Sequence, residues 1–251
     1  MDGLADSAVR IGPLLAVALV LLAAIAVGVN HVGRTGQAVD TAVAVVRAVV
    51  QLAGLAVVLV LVFQALWASA MFVACMALVA AWTSAGRIDR GRGSLRTTTR
   101  CLLPVAAATL TVVTVLVLIG VLPAHGTAVV PTAGILLGGA MNTTSLAGRH
   151  AHEALRERAG EVEAALSLGL AERDAREMVV RPAAASALIP ALDQTKSVGL
   201  VTIPGAFVGM VLGGAGVVDA AIMQLFVLIA LLAVSSVALV TTGELVSRGL
   251  L

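Results

Sequence analysis

The sequence predicts an all-α integral membrane protein with about seven transmembrane helices, and three observations carry that prediction. Of 251 residues, 60% are hydrophobic and 12% charged, with a mean hydropathy of +1.07. Soluble domains hold about 45–50% apolar and about 25% charged residues, so this much apolar surface cannot be hidden in water. The apolar residues also fall in runs near the roughly 20 residues that span a bilayer as a helix. Finally, one long polar stretch, Glu161 to Pro190, interrupts these runs late in the chain. The formal net charge of +2 gives no reason to expect nucleic acid. Cys75 and Cys101 make no disulfide framework and are expected to be free, small apolar packers.

Ile11 to Val29 is the first expected span. Its flank carries Asp2 and Asp6 rather than basic residues and no small-residue cleavage pattern follows, which argues against a signal peptide. Thr41 to Phe63 is the second, after a polar loop holding Arg34. Arg47 and Gln51 lie four residues apart in it and share one helix face. A charge at mid-bilayer costs at least about 2.5–3.5 kcal/mol and normally faces a bundle interior or snorkels, and both readings stay open for Arg47. Gln64 and Ala65 leave room only for a tight turn. Leu66 to Ala85 is the third span, with Trp67 and Trp82 placed for the two interfaces.

Arg87, Arg90, Arg92, Arg96 and Arg100 crowd the loop from Gly86 to Cys101 against one acid, Asp89. In a short loop between spans this is a positive-inside signal, which puts the loop in the cytoplasm and orients the rest. Leu102 to Leu122 is span four. Ala128 to Ala147 is span five, ending in the polar row Asn142, Thr143, Thr144 and Ser145. Gly134 and Gly138 in it have the spacing for close helix approach. Charged residues from Arg149 to Gly160 continue span five out of the membrane as a helix. His150 and His152, two apart, point away from each other on a helix and make no metal pair.

Glu161 to Pro190 is expected to fold as a knuckle. Helix formers run from Glu161 to Leu168, and Gly169 is the usual residue just past a helix end. A second polar helix, Ala171 to Val180, is expected to halt before Pro182. Two rigid helices joined at a glycine suit a soluble partner that pushes on them. Span six, about Ile189 to Leu212, is expected to kink at Pro204, with Asp193 and Lys196 three apart and able to pair. Gly205, Gly209 and Gly213 form a flat stripe for close packing. Ala220 to Val240 is span seven. Seven spans put the amino terminus outside and the carboxyl terminus in the cytoplasm. No internal repeat supports an inverted-repeat carrier.

No catalytic constellation emerges. The P-loop pattern is missing, because no glycine stands at the required distance before Lys196-Ser197. Neither H-E-x-x-H nor C-x-x-C is present. The chain therefore reads as non-catalytic.

Glu163-Ala164-Ala165, then Gly169, then Val179-Val180-Arg181-Pro182 resembles the EAA loop of ATP-binding-cassette permeases, with Arg181 where leucine is usual. Gly138 to Asn142, Leu188-Ile189-Pro190, Lys196 to Gly205, Gly213 and Gln224-Leu225 are similar to the FetB-type permeases, the iron-export family. Arg47 with Val50-Gln51-Leu52 resembles that family's second span, so the likeness covers about Ala44 to Val240. The resemblance implies one permease domain over residues 1–251 in the plasma membrane, embedded in the lipid bilayer as a homodimer. It implies two copies of a separate cytoplasmic ATPase that bind ATP-Mg, while this chain binds no cofactor. The coupling region would be 149–182, with Glu163, Ala164, Ala165, Gly169, Arg173 and Pro182 as its docking residues. Arg47, Gln51, Asn142, Asp193, Lys196, Pro204 and Gly205 are the expected transport pathway. Interhelical hydrogen bonding is the other reading of Asn142 to Ser145, and a structural pair with Asp193 that of Lys196. Iron prefers oxygen or imidazole ligands. The spans offer Asp193, Asn142, Gln51 and Gln224, the thioethers Met141 and Met210, and no histidine, which leaves the substrate and the direction of transport open. An ATP-independent channel or carrier is the alternative, and an adjacent P-loop ATPase gene or a co-purifying ATPase discriminates. A membrane enzyme lacks a catalytic constellation.

Overall fold

The computed structural model describes residues 12–63, 65–89 and 94–251, and among them it is helical without named strands. Asp2, Asp6, Ile11 at the start of the first span, Gln64, Arg90 and Arg92 lie outside the described residues. The chain divides into two compact units, Met1–Gln64 and Ala65–Leu251.

The first unit is a helical hairpin of α1 (Pro13–Val32) and α2 (Ala38–Val62). Pro13 opens α1, where its missing N–H has no helical partner to lose. The turn is held by Asn30, whose Nδ2 donates to Ala26 O and to Thr41 Oγ1, each at 3.1 Å. Thr35 Oγ1 donates back to Asn30 Oδ1 at 2.9 Å. Leu22, Val29, Val46 and Val49 all stand exposed within this unit. Apolar side chains exposed on this scale belong in lipid or against other protein.

The second unit is built on α6 (Gly126–Glu157), a 32-residue helix packed against α3 (Leu66–Ile88), α8 (Glu172–Ala185) and α11 (Val217–Ser247). Small residues make this possible, because membrane helices approach closely only where side chains are short. Ala133, Ala140, Ala147 and Ala151 of α6 are all fully buried. A Cβ at Gly139 would overlap the Leu231 side chain of α11, and one at Gly148 would overlap Ile88 of α3. The close approach expected at Gly134 is present, since a Cβ there would lie 3.1 Å from Met76 Cε of α3, whereas nothing lies within 4 Å of a Cβ at Gly138. The stripe of Gly205 and Gly209 is likewise open.

Between α3 and α6 come α4 (Leu95–Leu102), a π-helical turn at Leu103–Ala107 and α5 (Ala108–Leu118). Ser94 caps α4 by accepting from Thr97 N at 3.2 Å, so helix begins seven residues before the expected Leu102 and takes in Arg96 and Arg100. Pro104 lacks the N–H of a normal α-turn, and a π-turn absorbs the loss.

α7 (Ala159–Ser167) and α8 form the knuckle, and α8 runs through Pro182 instead of halting before it. Beyond a 3₁₀ turn at Ser186–Leu188, the expected sixth span is two helices, α9 (Ile189–Ser197) and α10 (Gly205–Leu212). The kink foreseen at Pro204 is thus a break from Val198 to Pro204. Gly199 has φ +78° and donates its N–H to Thr202 O at 2.9 Å, closing a turn that no helix continues through. Pro204 then stands as the extended residue before α10.

Among the described residues, five helices are long and apolar enough to cross a membrane: Pro13–Val32, Ala38–Leu59, Leu66–Ile88, Leu95–Leu118 and Val217–Ser247. The chain is in these terms a multi-pass membrane protein. α6 has the length but carries the polar row Asn142 to Ser145 and the charges after it, and α9 and α10 are short.

Candidate functional site

The knuckle begins where α6 ends. Arg158 sits between α6 and α7 and grips Glu161 with both arms, Nε to Oε1 at 2.7 Å and Nη2 to Oε2 at 2.5 Å. This hydrogen-bonded pair holds the Glu161 carboxyl below its usual value. α7 ends in a two-bond cap: Leu170 N–H donates to Ala165 O at 3.1 Å and Gly169 N–H to Leu166 O at 2.9 Å. That closure requires the left-handed backbone of Gly169, φ +89°. α8 carries Glu172 and Asp174 in its first turn, where acids suit the positive end of the helix.

The inner faces of this unit are firmly seated. Val180 packs with Ala151 and Val246, and Ala184 with Ala147 and Ala187. The outer face shows Glu163 and Ala164 with exposed Leu166, Leu168 and Leu170, of which Leu168 is 82% exposed. Of the expected docking residues, Glu163, Ala164, Gly169 and Pro182 are exposed and Ala165 is buried. Arg173 is committed inward. Its Nε and Nη2 bond the two carboxylate oxygens of Glu244 on α11 at 2.9 and 2.6 Å, and its Nη1 reaches Asp174 at 2.8 Å and Glu177 at 3.0 Å. Glu244 first, then Asp174, hold the guanidinium above its already high ordinary value. Glu244 also accepts from Arg248 at 2.6 Å. Nothing near Arg173 in sequence announces a partner 71 residues away; the single local signal is that Glu244 and Arg248 are four apart.

The expected pathway residues of the second unit are not gathered in one place. Arg47 and Gln51 are exposed on one face of α2 within the first unit. In the second unit Asn142 lines a cavity of about 100 Å³ with Gly139, Thr143, Gln194 and Ser235, and its Oδ1 accepts from Arg87 Nη1 at 3.1 Å. Pro204 lines a different cavity, of about 380 Å³, at the break between α9 and α10. Gln224 closes that cavity from α11; it is buried and its Oε1 has no partner. Asp193, Lys196 and Gly205 are exposed, and among the described residues no ion pair joins Asp193 to Lys196. His150 shares a 2.7 Å hydrogen bond with Ser186, which ties α6 to the 3₁₀ turn. No group of three or more His, Cys, Asp or Glu side chains that could hold a metal occurs among the described residues. Sequence reasoning did not name Ser235 or Gln194: Ser235 lies in the apolar α11, and Gln194 stands exposed in the short polar α9 between Asp193 and Lys196.

A family model described as "Uncharacterised protein family (UPF0014)" matches residues 14–251. The chain is 31% identical to "UPF0014 membrane protein STAR2" of Oryza sativa subsp. japonica, over 90% of its own length and 79% of the relative's. It is 28% identical to "Probable iron export permease protein FetB" of Escherichia coli, over 93% and 90%. "Protein ALUMINUM SENSITIVE 3" of Arabidopsis thaliana is 34% identical over 57% of this chain and 52% of that protein. No solved structure matches it significantly.

Proposed function

The chain belongs to the UPF0014 family, and from that premise we propose that it is the membrane subunit of an ATP-binding-cassette exporter of metal ions, iron-like in chemistry. A separate ATPase, in two copies carrying ATP-Mg, docks on residues 161–182, and the permease works as a homodimer in the plasma membrane. The amino terminus lies outside and the carboxyl terminus in the cytoplasm, with α6 and the α9–α10 pair completing seven crossings.

The observation that carries this reading is the knuckle. A loop between membrane helices has no packing reason to keep three leucines in water at a glycine-capped corner, and an exposed apolar patch rimmed by charge suits a protein partner. Such a handle also has leverage. α8 is tied to α6 by Val180 and Ala184 and to α11 by Arg173 and Glu244, so a push on α7 reaches the two longest helices. The similarity to a probable iron export permease supplies the cargo class.

The test is flux. The chain is co-expressed with candidate P-loop ATPases, purified and placed in vesicles with a panel of metal ions. ATP-dependent metal movement is expected. Movement that proceeds at full rate without any ATPase would favour a channel or carrier and contradict the proposal.

A further inference from the structure

We propose that the groove between α8 and α11 binds one zwitterionic phospholipid, with the phosphate on Arg181, the head-group amine toward Glu177 and Glu244, and an acyl chain along the apolar floor. The inference rests on α11 crossing the membrane and on nothing about the cargo.

The groove measures about 340 Å³, at the small end of the volumes that hold organic ligands. α8 supplies Glu177, Val180, Arg181 and Ala184, whose spacings of three and four put them on one side of that helix. α11 supplies Leu239, Val240, Gly243 and Glu244. Polarity is graded along the groove. At one end Arg173 joins Glu177 and Glu244, at 3.0 Å and 2.6 Å. At the other, Leu239 packs against the buried cluster that holds Ala184, and Val240 stands exposed. Gly243 leaves the middle open, since a Cβ there would already touch Val180, 3.9 Å from its Cγ1.

This gradient lies where α11 changes character. The helix is long and apolar enough to cross a membrane, and its long apolar run ends at Val240, before Thr241, Thr242 and Glu244. Leu239 and Glu244 are five residues apart, about 7.5 Å along the axis. A bilayer passes from hydrocarbon through its head groups in roughly 5–7 Å. A phospholipid therefore changes polarity over the same distance as the groove, whichever side of the membrane this end faces.

Charge selects the head group. Both carboxylates are already engaged, Glu177 by Arg173 and Arg181, and Glu244 by Arg173 and Arg248. Arg181 is different. Its side chain is 79% exposed and commits only Nη2, to Glu177; among the described residues Nε and Nη1 have no protein acceptor. A planar guanidinium with free donors suits a phosphate. The lining carries Glu177 and Glu244 against the one arginine. A lipid with a second negative charge is repelled there, and one with an ammonium group is attracted. The apolar floor adds burial of the first acyl methylenes, each favourable by about 0.8 kcal/mol.

The experiment titrates the purified full-length chain in detergent with dioleoyl phosphatidylethanolamine and counts bound lipid by native mass spectrometry. One retained lipid per chain is expected. Arg181→Ala, at an exposed position, and Ala185→Phe, on the exposed rim of the groove, are each expected to weaken binding about tenfold. Arg96→Ala, an exposed arginine outside the groove, is expected to leave it unchanged. The lipid is expected to raise the Tm of the unsubstituted chain, as any ligand of the folded state does, and not that of Arg181→Ala. Glycerophosphoethanolamine, which has the head group without the chains, is expected not to bind. Retention indifferent to Arg181→Ala and Ala185→Phe would overturn the site. Tighter binding of dioleoyl phosphatidylglycerol, or equal binding of the chain-free head group, would overturn the assigned ligand. A crosslink between two copies through Ala185→Cys would show the groove covered by a second chain and would overturn it as well.

Discussion

Arg173 is the residue whose surroundings most change its meaning. Its place in the polar loop suggests a contact with a partner, yet its guanidinium is spent on Glu244, Asp174 and Glu177. The pair is partly exposed, so its value lies in geometry more than in stability. Arg173→Glu is expected to lower ATP-driven flux while leaving the ATPase bound, and Arg173→Glu combined with Glu244→Arg to recover flux. A flux and binding comparison of the three proteins checks this. Gly139 gives a second residue-scale prediction. Gly139→Ala forces a Cβ against Leu231 and is expected to destabilise by about 1–3 kcal/mol. Gly138→Ala meets nothing within 4 Å and is expected to stay within about 0.5 kcal/mol of neutral. Thermal unfolding in detergent measures both. Here the sequence was readable only in kind. Small residues on α6 announce close packing, but two adjacent glycines differ by about 100° around the helix axis, and which one meets α11 depends on a neighbour that local spacing does not show.

At the scale of elements, the broken sixth span is the clearest departure from a straight reading. Val198 to Leu212 is apolar enough to look like one helix with a proline in it. The break is decided by Gly199, whose φ of +78° is left-handed and costs other L-residues about 1–2 kcal/mol. Gly199→Ala is therefore expected to destabilise by that amount, while Gly205→Ala, with open space around it and no positive φ, keeps the fold; urea or heat denaturation distinguishes them. In the proposed seven-span order the break falls at membrane depth, where non-helical backbone is tolerated only if protein or a water-filled cavity covers it; the unpartnered Gln224 amide oxygen lies in the cavity beside it. The knuckle was more legible. Its helix formers, its glycine stop and its acidic first turn are all local signals, and the cap at Gly169 follows them. Pro182 misled, because a helix packed along its length against α6 and α11 keeps going where an isolated one would stop.

For the whole molecule, composition alone sets the class, since no water-soluble packing hides this much apolar surface. The division into units of residues 1–64 and 65–251 has no sharp marker in composition, because α2 and α3 are both long and apolar enough to cross a membrane. Arginine crowding from Arg87 to Arg100 and the knuckle at 161–182 fall on one side of the proposed seven-span order.

The most direct test is chemical crosslinking at the tip of the knuckle. A thiol introduced by Leu168→Cys, in a chain with Cys75 and Cys101 replaced by serine, is reacted with a short bifunctional reagent in membranes that also contain the ATPase. A crosslink to the ATPase whose yield changes when ATP is added is the expected result. A thiol that is instead labelled from outside sealed cells, and never joined to the ATPase, would contradict the account.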